Sequence, residues 1–174
     1  KVGGARAAKG GSLDDVIASA QNVVNRTKSI CVGLEPCVIP ALGHSNFKIE
    51  DGTMEFGVGH HGEAGTKVEK LKSASEMAQE MAETILNDFD FEEGKEVAVM
   101  LSGLGATPVM ELYVLYDEVE KVLAKAGHKV WKTYIGNYVT SLDMNGASLT
   151  IVDLDDEIKE LLSEPAVPIG MKNY

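Results

Sequence analysis

The sequence predicts an α/β or α+β sandwich: one mixed sheet with helices stacked against it. Apolar residues recur at helical spacing in four stretches, opening near Ser12, Ser73, Pro108 and Asp155. Between them lie short runs rich in β-branched and aromatic residues, bounded by glycine, proline and aspartate. The two kinds of segment alternate in a way that fits strand–helix–strand crossovers.

Size and charge set the outer limits. With 174 residues the chain forms one domain, or at most two small ones, and can bury its own core. Its formal net charge of -11 argues against nucleic acid or an anionic membrane as partner, because both need a basic footprint. No apolar run reaches the length of a membrane span, and no signal peptide is visible. Cys31 and Cys37 have neither disulfide-framework nor zinc spacing, which suits a reducing cytoplasm. Lys1 to Lys9 (KVGGARAAK) reads as the tail of something longer, so an upstream portion is expected.

Ser12 opens the first helix as N-cap, with Asp15 three residues on. Leu13, Val16, Ile17, Ala20, Val23 and Val24 form its apolar face, and it is expected to stop near Lys28. Ile30 to Ile39 is a strand, with Pro36 marking an edge or a bulge. Phe47 to Val58 holds one or two strands split at Asp51-Gly52. Ser73 caps a second helix running to Phe89, with Glu76 completing a capping box and Met77 and Met81 filling the core. Glu96 to Leu101 is a short strand, and Pro108 starts a long helix to Ala126 that Gly127 ends. Lys129 to Val139 and Gly146 to Leu154 are strands, with Asp143 to Gly146 as a hairpin-like turn between them. Asp155 or Asp156 caps a last helix, and Pro165 and Pro168 end regular structure.

Chemistry concentrates in Met54 to Gly65, MEFGVGHHGEAG. Gly57, Gly59, Gly62 and Gly65 crowd one short window, which requires positive φ angles or a close approach of backbone to a ligand. Among them sit His60 and His61, half of the chain's four histidines, so the loop has the ingredients of an active site. Gly57 to Gly62 also spells G-x-G-x-x-G, but no helix opens after it to receive a pyrophosphate. Ser102 to Pro108 joins a strand end to a helix start; without a Walker lysine it reads as a tight turn with a serine or threonine cap. No pair of histidines or cysteines has metal-ligand spacing, so no metal is expected. His44 is expected to be solvated, His128 to follow the long helix, and Glu35 and Glu111 to be edge or interface acids.

Met54 to Gly65 resembles the M-E-x-G-x-G-I-H-G-E-P-G signature of the dihydroxyacetone kinase family, in its substrate-binding K subunit. Ser102 to Tyr113 (SGLGATPVMELY) resembles the family's N-G-L-G-A-T-P-x-M-E-L-Y, and Gly136 to Met144 (GNYVTSLDM) resembles its G-x-Y-x-T-S-L-E-M. Ser12 to Ile39 is similar to the helix and strand that precede the signature, so the resemblance covers nearly the whole chain.

The resemblance implies a two-layer α/β (α+β) domain, with a mixed sheet of about six strands and helices packed on one face. It implies that residues 1–174 are a single domain, the C-terminal half of such a subunit, with the N-terminal half missing. His61 is then the catalytic residue that holds a ketose covalently as a hemiaminal, with Gly59, His60 and Gly62 beside it in the substrate site. The chain itself would bind no cofactor. The phosphate donor, ATP or ADP with Mg, would sit on a nucleotide-binding L subunit or domain, with a phosphorylated carrier protein as the alternative donor, and the N-terminal domain and a second copy would be further partners. Dihydroxyacetone is the implied substrate. His60 stands where the family commonly has isoleucine and Ala64 where it has proline, which favours a longer ketose such as erythrulose as the alternative. A ligand-sensing coactivator of the same family is another alternative, and this chain alone would not be a working kinase.

Overall fold

The computed structural model describes residues 1–45, 47–60, 63–88 and 94–170. The elements run α1 (Val2–Ala8), α2 (Leu13–Asn25), β1 (Thr27–Glu35), β2 (Thr53–Phe56), β3 (Lys67–Lys70), α3 (Ala74–Asn87), β4 (Glu96–Gly103), α4 (Val109–Lys125), β5 (Lys129–Gly136), β6 (Asn145–Asp153) and α5 (Asp156–Ser163). The chain divides into two compact units, Lys1–Thr27 with Val152–Tyr174, and Lys28–Ile151.

The larger unit carries the six-stranded sheet, in the order β3-β2-β1-β6-β4-β5. β1, β2 and β3 pair antiparallel, while β4 and β5 pair parallel, so the sheet is mixed as the sequence predicts. Strand residues alternate between faces. Val32, Met54, Phe56, Val97, Val99, Leu101, Ala147, Leu149 and Ile151 therefore share one face, and they form a single core with Met77, Met81 and Ile85 of α3 and Leu112, Val119 and Leu123 of α4. Both helices thus lie on that face. The opposite face is small and polar: Ser29 and Thr150 share a 2.7 Å hydrogen bond across it, and Cys31 and Ser148 are buried there. A second cluster of Cys31, Cys37, Val58, Leu104 and Met144 lies toward the histidine loop.

The smaller unit is helical. Ser12 and Asp15 close a reciprocal capping box on α2. Ser19 donates to Glu157 at 2.7 Å and Asn22 to Asp155 at 2.8 Å, tying α2 to α5. Arg26 pairs with Asp153 at 2.5 Å. Burial alone would raise the Asp155 carboxyl. The Asn22 amide, the Ile158 N–H and the Arg26 charge outweigh it and hold the group below the usual carboxylate range.

Several expectations need correction. Val2–Ala8 is a helix, although the sequence there gives only a short alanine- and glycine-containing tail. The first strand begins at Thr27 and ends at Glu35, since Pro36 cannot donate to a ladder. Of Phe47 to Val58 only Thr53–Phe56 is strand, and Lys67–Lys70 pairs with it as an edge strand that has no apolar alternation to betray it. Asp143 to Gly146 is no hairpin turn: β5 pairs with β4 and lies at the sheet edge, while β6 inserts between β1 and β4. Leu13, Ile17 and Val24 of the predicted apolar stripe on α2 are exposed, because the buried side of α2 carries Ser19. The predicted end of the second helix at Phe89 falls outside the described residues. No helix among the described residues is long and apolar enough to cross a membrane.

Candidate functional site

The glycine loop leaves β2 at Phe56 and returns as β3 at Lys67. Its two stems are pinned to each other and to β1. Gly57 N–H donates to the Cys31 carbonyl at 2.7 Å and Thr66 N–H to the Phe56 carbonyl at 2.8 Å. Glu55, 9% exposed, turns its carboxylate to accept the Gly65 N–H at 2.5 Å. A charged acceptor on a backbone N–H is among the stronger hydrogen bonds available to a loop.

The glycines answer to different needs. Gly57 has φ 79, a left-handed conformation. A Cβ on Gly59 would overlap the Glu63 carboxylate, whose backbone carbonyl accepts the Gly59 N–H at 3.0 Å. A Cβ on Gly65 would lie 2.5 Å from the Phe56 carbonyl oxygen.

His60 is half-buried. Its Nδ1 lies 4.0 Å from Cys31 Sγ, while its Nε2 is buried with no hydrogen-bond partner among the described residues. Its carbonyl oxygen accepts the Ser141 hydroxyl at 2.6 Å. Burial pushes the Cys31 thiol above its ordinary value, against a weaker opposing hydrogen bond from Ser148. The thiol is therefore a neutral neighbour of the imidazole rather than a thiolate nucleophile. Both cysteines are free and buried.

Of the residues predicted for the site, Gly59 and His60 lie together in this loop, whereas His61 and Gly62 fall outside the described residues. Sequence reasoning missed Glu55, which sits between Met54 and Phe56 and by alternation faces away from the helices. It also assigned no role to Ser141, although Ser141 lies inside a quoted motif. Of the Ser102–Pro108 segment, Ser102 and Gly103 extend β4 beyond the predicted end at Leu101, and the turn into the helix follows them without the predicted serine or threonine cap. Thr107 instead exchanges hydrogen bonds with Gly146, and Pro108 stands at the N-cap of α4 with no side-chain cap. His44 is exposed, as expected, and His128 is buried after α4. No cluster of three metal-ligating side chains occurs among the described residues. An apolar cavity of about 220 Å³ between α3 and α4 is lined by Val32, Met77, Leu112 and Ala147, on the sheet face opposite Cys31; none of the described residues of the glycine loop lines it.

Residues 1–169 match the Dak1 domain. The chain belongs to the Dak1 family. Its Dak1 domain is 41% identical over 157 residues to the dihydroxyacetone-binding subunit DhaK of a PTS-dependent dihydroxyacetone kinase from Listeria innocua, covering 90% of this chain and 48% of that protein. It is 35% identical over 166 residues to a D-erythrulose kinase from Mycolicibacterium smegmatis, covering 95% of this chain and 29% of that protein. Among solved structures it is similar to the dihydroxyacetone kinase operon co-activator DhaQ, with a TM-score of 0.89, 30% identity, and coverage of 95% of this chain and 51% of that one. The Dak1 chain thus spans about half the length of the DhaK subunit it matches.

Proposed function

We propose that this chain is the ketose-holding part of a dihydroxyacetone kinase, and that His61 holds the substrate covalently as a hemiaminal. The reading is carried by the His61-Gly62-Glu63 core of the loop motif, within a chain that matches the Dak1 domain over residues 1–169. The pinned stems of the loop support it, because covalent capture needs a ring held at a fixed approach to the carbonyl.

The step balances without any co-reactant. A neutral imidazole nitrogen adds to the ketone carbon, and a C–N bond forms as the carbonyl π pair moves to oxygen. That oxygen gains a proton and the ring loses the one on its other nitrogen, with water as the relay. No atom leaves, so the adduct weighs protein plus ketose. Glycerol has no carbonyl and cannot form it, so covalent capture excludes a polyol that a hydrogen-bonding pocket would separate poorly. Gly59, His60 and Gly62 line the ketose. Phosphoryl transfer needs a base and a donor, which we assign to partner parts: the other half of a DhaK-length subunit, and an L subunit carrying ATP or ADP with Mg. A homodimer in the cytoplasm completes the proposal.

The test is intact mass under mild conditions on the assembly purified from its source with its accompanying subunits, offered dihydroxyacetone, erythrulose or glycerol in turn. The expected result is a gain of one ketose that disappears in His61→Ala, while glycerol never adds. An adduct that survives His61→Ala, or none in the wild type, overturns the reading. The resemblance to a D-erythrulose kinase and the histidine at position 60 favour a second reading, and stronger capture of erythrulose than of dihydroxyacetone would establish it. Capture without phosphoryl transfer in the complete assembly would assign the coactivator role instead.

A further inference from the structure

Ser141 lies in the connection between β5 and β6, eighty-one residues from the histidine whose carbonyl it holds. It is 7% exposed, and its hydroxyl donates to the His60 carbonyl oxygen at 2.6 Å. That carbonyl belongs to the peptide unit joining His60 to His61. A peptide unit is planar, so fixing its oxygen fixes the plane from which the next residue departs.

The segment that presents Ser141 is held from several sides. The Ser141 N–H donates to the Leu104 carbonyl at 2.7 Å, and its own carbonyl accepts the Met144 N–H at 3.0 Å. Upstream, the buried Ser102 hydroxyl accepts the N–H groups of Tyr138 and Val139, both at 3.0 Å. Immediately downstream, Leu142 has φ 52, the one non-glycine residue with positive φ among the described residues. A leucine there is strained, and such strain persists only where the surroundings over-determine it. A Cβ on Gly105 would overlap the Leu142 carbonyl oxygen, so a glycine contact is spent on the same turn.

We infer that Ser141 is a positioning residue for the histidine loop: its hydroxyl, presented by the strained turn at Leu142, holds the His60 carbonyl and so the backbone that leads directly into the covalent histidine. This rests on the assignment of His61 above. A hydroxyl that only satisfied a buried carbonyl would need neither the strained turn nor the anchor at Ser102.

The test uses Ser141→Thr and Ser141→Val, which share a shape and differ in the hydroxyl, with Ser141→Ala beside them, in the assembly purified from its source. The rate of ketose adduct formation is read at saturating ketose, together with the half-saturating concentration and the thermal midpoint. In Ser141→Val and Ser141→Ala the saturating rate is expected to fall by about 10- to 100-fold, the scale of a small misplacement of reacting groups. Half-saturation should move little, and Ser141→Thr should stay close to wild type. Equal rates in the Thr and Val variants overturn the inference. So does unfolding of Val and Ala at a temperature where Thr stays folded, which would make the hydroxyl a structural support. An absent adduct in the wild type itself would instead strike the His61 assignment, and the inference would go with it.

Discussion

Glu55 shows how one buried charge can organise a loop. At 9% exposure its carboxylate meets the Gly65 N–H, and the close approach of Gly65 to the Phe56 carbonyl leaves no room for a side chain there. Glu55→Ala is expected to cost about 1.5–3 kcal/mol, the scale of a hydrogen bond to a charged group, and to speed amide exchange at the half-buried Gly65. Glu55→Gln keeps a carbonyl acceptor and should cost less. Unchanged urea stability and a protected Gly65 amide in Glu55→Ala would refute the clamp. Glycines divide in the same way. Gly10 has φ 82 with open space around it, so Gly10→Ala should cost only the left-handed penalty of about 1–2 kcal/mol. Gly105 has φ 136 and the Leu142 carbonyl against it, so Gly105→Ala should exceed Gly10→Ala by urea denaturation; equal losses would show that the turn yields. The crowding of glycines at 57–65 is legible in the sequence because glycine is rare in a strand end without cause. Which need each one meets is not, because the colliding groups come from neighbouring chain.

At the scale of elements, the caps carry most of the local information. Ser73 and Glu76 bond reciprocally at the start of α3, as Ser12 and Asp15 do on α2, so Ser73→Ala should cost about 1 kcal/mol. Asp155 caps α5 and meets Asn22 and Arg26 of the same unit. Its folded-state pKa lies below the ordinary value near ~3.9. A depressed carboxyl contributes stability that is fully present above the unfolded pKa and lost as pH falls through the folded one. Asp155→Asn should therefore be less stable than wild type at neutral pH, with the gap closing on acidification below pH ~4. A gap that stays constant in urea midpoints across that range would exclude the linkage. These caps are legible because their partners lie three residues away. β3 is not, since Lys67–Lys70 is charged, exposed at Val68, and held by pairing with β2 and by Lys67 and Lys72 on Glu80.

Across the molecule, stability follows the sheet. β4 and β6 lie inside the strand order with Val97, Leu101, Leu149 and Ile151 at 0% exposure, whereas β3 is an edge. Amide exchange should be slowest in β4 and β6 and fastest among strands in β3, as expected when the most buried elements open only with the global transition. Comparable exchange in β3 and β6 would contradict that order. Met81 is fully buried in the core under α3, and Met81→Ala should cost about 2–5 kcal/mol by calorimetry or denaturant.

The sequence by itself determined the fold class, the helix starts at Ser12 and Ser73, a last helix opening at Asp155 or Asp156, the glycine that ends α4, and the glycine-rich loop after β2. Each rests on spacing within about one helical turn or on one contiguous motif, where covalent geometry and local hydrogen bonds decide the outcome. Only the tertiary structure decided that β6 enters between β1 and β4, and that α2 exposes Leu13, Ile17 and Val24. Only it brought Cys31 and Ser141 to His60 across twenty-nine and eighty-one residues. Contacts at such separations are fixed by which surfaces the whole chain can bury together, and no local pattern encodes that choice.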